Sequence, residues 1–212
     1  MTFGRARRWT LILALTTQAG MGMAEPQSWR GYEVPAYAVE RRDGMVEVRR
    51  TDPHLVAEVT LEGSRDAALR KGFRTLAGYI FGGNDGGAKV AMTAPVTQAP
   101  GRRIAMTAPV EQGGEGGIWT VRFAMPSGYT AETLPGPLDD AIRIVEAPGE
   151  RIAALRFAGW GGFGRWREKE GELRRWLAAE GLQPSGPARH LYYDDPFTLP
   201  WRRRNEVVLR LE

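Results

Sequence analysis

The chain of 212 residues has no cysteine and only two histidines, His54 and His190. Without thiols there can be no disulfide, no iron–sulfur cluster, no cysteine zinc site and no thiolate nucleophile. Two imidazoles are too few for a multi-histidine metal site. Long apolar runs are also missing. Trp9 to Leu15 is an apolar stretch (WTLILAL), far short of the about 20 residues that cross a bilayer as a helix. The glycine-rich stretches around residues 82–87, 113–117 and 159–164 lack a following Lys-Ser/Thr, and none opens a dinucleotide-binding turn with its acidic partner. They read as turns. Carboxylates are plentiful, yet no spacing singles out a catalytic pair.

The first 24 residues look like an export signal. Arg5, Arg7 and Arg8 precede the apolar run, and the small-residue stretch Ala19 to Ala24 ends in a Gly22-x-Ala24 cleavage pattern. The expectation is a signal peptide over residues 1–24 and an exported protein, periplasmic if the host is Gram-negative. Ala6 and Thr10 fit a twin-arginine signal poorly. Those residues carry three arginines and no carboxylate, so their removal takes the net charge from +4 to +1. The basic balance then ceases to argue for nucleic acid. Arg202-Arg203-Arg204 reads as a solvated turn or an ion-pair source, and no stable membrane insertion is expected. Residues 25–36 read as a polar lead-in and 37–212 as one domain with one substantial core.

Period-two alternation marks strands at about 45–50, 54–61, 118–125 and 205–211, and further strands are expected at about 88–98, 103–111, 141–146, 151–158 and 188–194. Ser64 can cap a helix with Asp66 in its first turn, carrying Leu69, Phe73, Leu76, Ala77 and Ile80 at helical spacing until Gly82-Gly83-Asn84. A second helix is expected from Arg165 to Glu180, its apolar side formed by Trp166, Leu173, Trp176 and Leu177, with Gly171 as a weak point. The order repeats: strands, helix, strands. The expected class is α+β, two similar halves sharing a distorted antiparallel β-barrel or sheet flanked by two helices. Pro126 to Asp140 joins the halves in this reading.

One short repeat stands out. Residues 89–98 (KVAMTAPVTQ) recur as 103–112 (RIAMTAPVEQ). With Gly72-Phe73, Leu76-Ala77, Tyr79-Ile80, Gly82 and Asn84, with Phe123-x-Met125-Pro126 and Leu134-Pro135-x-Pro137, and with Tyr193-Asp194-x-Pro196 and Arg203 to Val207, this order resembles the SOUL family of haem-binding proteins over about residues 31–211. The resemblance implies the barrel-like fold named above. It also implies non-covalent binding of haem or another tetrapyrrole in an apolar groove beside the first helix, by a binder or carrier and not a catalyst. Alternatives are an enzyme that modifies or degrades a tetrapyrrole, or a binding domain for another amphipathic small molecule.

A tetrapyrrole needs an apolar shelf and cations for its propionates. Leu69, Phe73 and Leu76 could form the shelf, with Arg70 or Arg74 meeting a propionate through a guanidinium fork. The plainer reading makes the three apolar residues core and the arginines a solvated edge. Met92 and Met106 read as packing more than as iron ligands. His54 follows Asp52-Pro53 in a turn and reads as solvated. Some relatives carry a histidine just after the Glu-x-Arg of the preceding strand, where this chain has Arg50. His190 lies near Tyr192 and Tyr193, and tyrosine can ligate ferric haem. The metal ligand is left open.

Overall fold

The computed structural model describes residues 27–101, 117–160, 162–195 and 197–212. The expected signal peptide and the second copy of the repeat, with Met106, lie outside the described residues. The elements run β1 (Gln27–Trp29), β2 (Tyr32–Val34), β3 (Tyr37–Asp43), β4 (Val46–Thr51), β5 (His54–Gly63), α1 (Arg65–Ile80), β6 (Val96–Pro100), β7 (Gly117–Ala124), β8 (Ile142–Ala147), β9 (Arg151–Phe157), α2 (Phe163–Ala179), β10 (Pro184–Tyr192) and β11 (Asn205–Leu211).

Nine strands make one antiparallel sheet in the order β3-β4-β9-β11-β10-β6-β7-β5-β8, and β1 pairs with β2 in a small hairpin. The sheet is open, with β3 and β8 at its edges, so the sheet alternative holds and the closed barrel does not. Both helices pack on it, as the repeated order of elements implies. The partition of strands between the helices is less direct. β8 follows the Pro/Gly-rich connection, yet it pairs with β5 in the half that carries α1. β4 precedes α1 in sequence, yet it pairs with β9 in the half that carries α2. The halves exchange their first strands. Alternation tells which face of a strand is buried but not which neighbour completes its hydrogen bonds.

Each helix has its own core. Under α2, Trp166, Leu173 and Leu177 meet Val48, Ala153, Leu155, Val207 and Leu209. Under α1, Leu76, Tyr79 and Ile80 meet Ala57, Val59, Val121 and Phe123. α1 begins where Ser64 Oγ accepts from Ala67 N at 3.4 Å, with Asp66 in the positive first turn. It lies close to the sheet at Gly72, where a Cβ would sit 2.7 Å from Val121 Cγ2. Beyond its end, Asn84 Nδ2 donates to the carbonyls of Tyr79 at 2.9 Å and Ala88 at 2.7 Å, and its Oδ1 accepts from Ala88 N at 2.9 Å. One amide thus satisfies backbone groups that the helix end and the turn leave open. α2 runs unbroken through Gly171, where nothing but the end of Arg175 comes near.

Two expected boundaries move. β6 starts at Val96, so Lys89 to Pro95 of the first repeat copy is a loop. Thr93 pins it by donating from Oγ1 to the Ala124 carbonyl at 2.6 Å. Residues 27–34, read as a lead-in, fold as the β1–β2 hairpin against Tyr193 and Ala94. No helix among the described residues is long and apolar enough to cross a membrane.

Candidate functional site

The sequence expectation placed Leu69, Phe73 and Leu76 on one apolar face of α1. The helix divides them. Ala68, Gly72, Leu76, Tyr79 and Ile80 form the stripe pressed on the sheet, and Leu76 is fully buried there. Leu76 is therefore core and not groove lining. A step of one residue is about 100° around the helix. Leu69, Phe73 and Ala77 fall on the neighbouring stripe, and Arg70 and Arg74 on the one beyond it. The five side chains of these two outer stripes line a cavity of about 810 Å³.

The opposite walls come from far along the chain. The repeat loop supplies Met92, Thr93 and Ala94, β6 supplies Val96, and the end of β10 supplies Tyr192. Trp160 and Gly162 approach from the start of α2, and Asp194, Asp195 and Arg203 from the loop before β11. Such a volume suits a cofactor-sized or drug-sized ligand. Phe73 remains 36% exposed and meets Phe123 edge-on, ring centroids 5.4 Å apart. It presents an aromatic face to the open side.

Charge on the walls is unevenly committed. Asp194 accepts from Trp29 Nε1 at 3.2 Å, from Arg30 Nε at 3.1 Å and from the backbone N–H of Arg204 at 2.6 Å. Asp195 accepts from the backbone N–H groups of Phe197 and Thr198 at 2.7 and 2.9 Å. Asp66 stands 3.5 Å from Arg65. Arg70 and Arg74 make no ion pair among the described residues and are exposed. The cavity therefore offers free cationic forks and largely occupied carboxylates, which favours a ligand with anionic groups.

Neither histidine faces this cavity. His54 lines a separate hollow of about 170 Å³ on the other side of the sheet, and its Nδ1 lies 3.0 Å from the Asp52 carbonyl. His190 is buried against the Trp166 ring at 4.6 Å. Burial, reinforced by the charge of Arg65, lowers its pKa to about 3, so it is neutral at pH 7. Tyr192 lines the cavity with its ring, while its hydroxyl points into the core, accepting from Arg65 Nη2 and donating to Gln98 Oε1 at 3.4 Å. Burial raises its pKa to about 12. Met92 is the wall residue with a thioether. No cluster of histidine, aspartate or glutamate able to hold a metal ion occurs among the described residues.

Around Tyr193, which borders both the cavity and the smaller hollow, lies a buried ionic cluster that spacing alone does not foretell. Glu206 is fully buried and accepts from Arg49 Nη1 at 2.7 Å, from Arg204 Nη2 at 2.7 Å and from Tyr193 Oη at 2.9 Å. Burial opposes its charge, but Arg49 and Arg204 prevail and hold its carboxyl below the usual value. Arg204 also stacks 3.9 Å from the centre of the Tyr193 ring. The closing run Arg203 to Val207 thus makes an internal ion-pair source at Arg204, in line with the expectation for the arginine triplet.

The model of the SOUL heme-binding protein family matches residues 32–210. The chain belongs to this family. Heme-binding protein 1 of Mus musculus is 28% identical over 144 residues, spanning 68% of this chain and 72% of the mouse protein. Heme-binding protein 1 of Sus scrofa is 29% identical over 146 residues, spanning 68% and 71%. Among solved structures, an uncharacterized conserved protein from Listeria innocua superposes with a TM-score of 0.59 at 14% identity, covering 79% of this chain and 92% of that one. At that identity the likeness speaks for the fold alone. Several of the described signature residues prove architectural. Gly72 permits the close approach of α1, Tyr79 Oη donates to the Pro135 carbonyl at 2.7 Å, Asn84 ties the end of α1 to Ala88, Asp194 accepts from the Arg204 backbone, and Glu206 joins β11 to Arg49 of β4.

Proposed function

We propose that this SOUL protein binds haem or a related tetrapyrrole non-covalently in the cavity beside α1, as a sequestering, transporting or buffering protein and not as a catalyst. The observation that carries the reading is an apolar, cofactor-sized cavity bordered by two arginines without ion pairs among the described residues. The macrocycle would lie against Leu69, Phe73, Ala77, Met92 and Val96. Its propionates would meet Arg70 or Arg74 as forked pairs. Met92 and Tyr32 are wall residues whose sulfur or hydroxyl could meet the iron of a bound haem. The binding itself rests on the apolar shelf and the propionates. The family membership and the names of the mammalian relatives support this ligand class. Buried titratable groups such as Glu206 and His190 serve the core, which favours a binder over an enzyme.

Export belongs to the same proposal. A basic start, a short apolar run and Gly22-x-Ala24 fit cleavage after Ala24 and a periplasmic protein in a Gram-negative host.

A second reading, a binding domain for another amphipathic molecule, draws on Asp66, which is exposed at the wall and could meet a cationic group. Mass spectrometry of ligand recovered with the protein from its native compartment separates the two. A tetrapyrrole is the expected result. A different amphipathic molecule, with no tetrapyrrole, would replace the first reading by the second.

A further inference from the structure

Large apolar side chains are exposed on the two loop segments that lead into α2 and β11 and that lend Trp160, Asp194, Asp195 and Arg203 to the cavity wall. Trp160 is 68% exposed and Phe163 54%, on the approach to α2, while Phe197 is 94%, Leu199 47% and Trp201 69%, on the loop before β11. The loops are clasped together. Gly159 N donates to the Pro200 carbonyl at 2.9 Å, Asn205 Nδ2 donates to the Gly159 carbonyl at 3.2 Å, and the Arg203 guanidinium lies 4.6 Å from the centre of the Trp160 ring. These side chains stay in water on a well-tied surface, and a cluster of exposed apolar groups of this kind suits an occupant.

The charges among them point to its chemistry. Arg202 is exposed, and the Arg167 guanidinium lies 5.6 Å from the centre of the Phe163 ring. Arg30 donates to the Arg202 carbonyl at 2.8 Å. The carboxylates on these segments are committed, Asp194 to Arg30 and the backbone of Arg204, Asp195 to the turn at Phe197 and Thr198, and Glu168 to Arg165 at 3.2 Å, while Asp66 on α1 across the cavity stays exposed. Tryptophan and phenylalanine interleaved with arginine match the headgroup region of an anionic bilayer, where the rings enter the interface and the guanidinium groups meet phosphates. A second copy of this chain would meet the patch with the same arginines, which disfavours self-association.

We infer that these two loops dock the protein on anionic phospholipid surfaces, with the cavity mouth facing the lipid. The docking does not depend on which ligand the cavity holds. It deepens the binding reading by giving an amphipathic ligand a path between bilayer and cavity.

Co-sedimentation tests it with ligand-free full-length protein and vesicles of phosphatidylcholine, with or without phosphatidylglycerol. The comparison is between the unaltered chain, Trp160→Ala/Trp201→Ala, and Leu138→Ala as a control at an exposed apolar position off the patch. All share one N-terminus, so the difference between them reads the loops. The expected result is tighter binding to the anionic vesicles and about a tenfold loss in the tryptophan double variant, with the control unchanged. Circular dichroism establishes that the variant is folded. Equal binding of all three proteins would overturn the inference. So would a change in oligomeric state with the tryptophan variant but none in vesicle binding, which would make the patch an interface between copies. Haemin affinity of the double variant in solution is a separate reading: its loss would bear on the cavity, not on docking.

Discussion

The two helices stand on the same sheet in similar halves, but their outer surfaces differ. On α2 most charges meet a partner close by: Arg165 pairs with Glu168 at 3.2 Å, Lys169 with Glu172 at 2.6 Å, Arg174 with Glu170 at 2.8 Å, and Glu180 beyond its end with Arg41 at 2.7 Å, while Arg167 and Arg175 make no ion pair among the described residues and border neither the cavity nor the smaller hollow. On α1, Arg70 and Arg74 have no ion pair among the described residues and stand at a cavity. Their inner surfaces differ as well. α1 needs Gly72 to approach the sheet, whereas α2 spans its core with Trp166 and carries Gly171 in open surroundings. One helix is packed on the sheet and pairs most of its charges along its own surface. The other is packed on one stripe and left open on the next. Two similar halves thus differ in that one helix stays on its core while the other borders a cavity.

That contrast predicts opposite outcomes at Gly72 of α1 and Gly171 of α2. Gly72→Val places new atoms against Val121 Cγ2, where a Cβ alone is already at 2.7 Å. It is expected to cost about 3 kcal/mol, read from denaturant midpoints, since overpacking a tight core costs about 1–3 kcal/mol. Gly171→Ala has room and is expected to add about 0.5–1 kcal/mol. Stabilisation at both positions would mean that α1 does not lie as close as described.

Between these in size lies a pH effect in the α2 half. His190 has its pKa lowered from 6.5 to about 3 by burial and by Arg65. The unfolded chain takes up this proton below about pH 6.5 while the folded one does not until about pH 3. The contribution is therefore full above pH 6.5 and is lost as pH falls through that window. Each unit below the unfolded value costs about 1.4 kcal/mol, so lowering pH from 7 to 5 should cost roughly 2 kcal/mol. Thermal unfolding of His190→Gln should show less of that loss. An unchanged slope would place the proton uptake elsewhere. The smallest effect expected is at Arg174→Ala, an exposed pair with Glu170 worth about 0.3–0.5 kcal/mol.

How much of this was legible in the residues depends on what periodicity can say. Both helices and the strands over 46–51, 54–63, 117–124 and 205–211 follow from alternation and caps, because burial on one face leaves a mark at every second or fourth position. The exchange of first strands and the open sheet left no such mark, since partner choice is decided by long-range register. At the candidate site, Leu69, Arg70, Phe73 and Arg74 share a cavity wall, while Leu76 does not. Counting at i, i+3 and i+4 gathers a broad arc and cannot divide a core stripe from the groove stripe beside it. Gly72 held part of the missing signal. It lies on the line of closest approach and Leu76 one turn further on that same line, although Gly78 and Gly171 show that a helix glycine can equally stand in open surroundings. The far wall, with Tyr192, Asp194 and Trp160, could not be read locally because the fold brings it from the other half.

The central claim is that the open arginines of α1 meet the acidic groups of a tetrapyrrole, and haemin titration tests it most directly. Arg70→Glu/Arg74→Glu should weaken haemin binding by about tenfold or more, as expected when a charged hydrogen-bonded pair is replaced by repulsion. The matched reversal Arg165→Glu/Arg174→Glu on α2 should leave affinity within about twofold. Equal affinity for both variants and the unaltered chain would contradict the account.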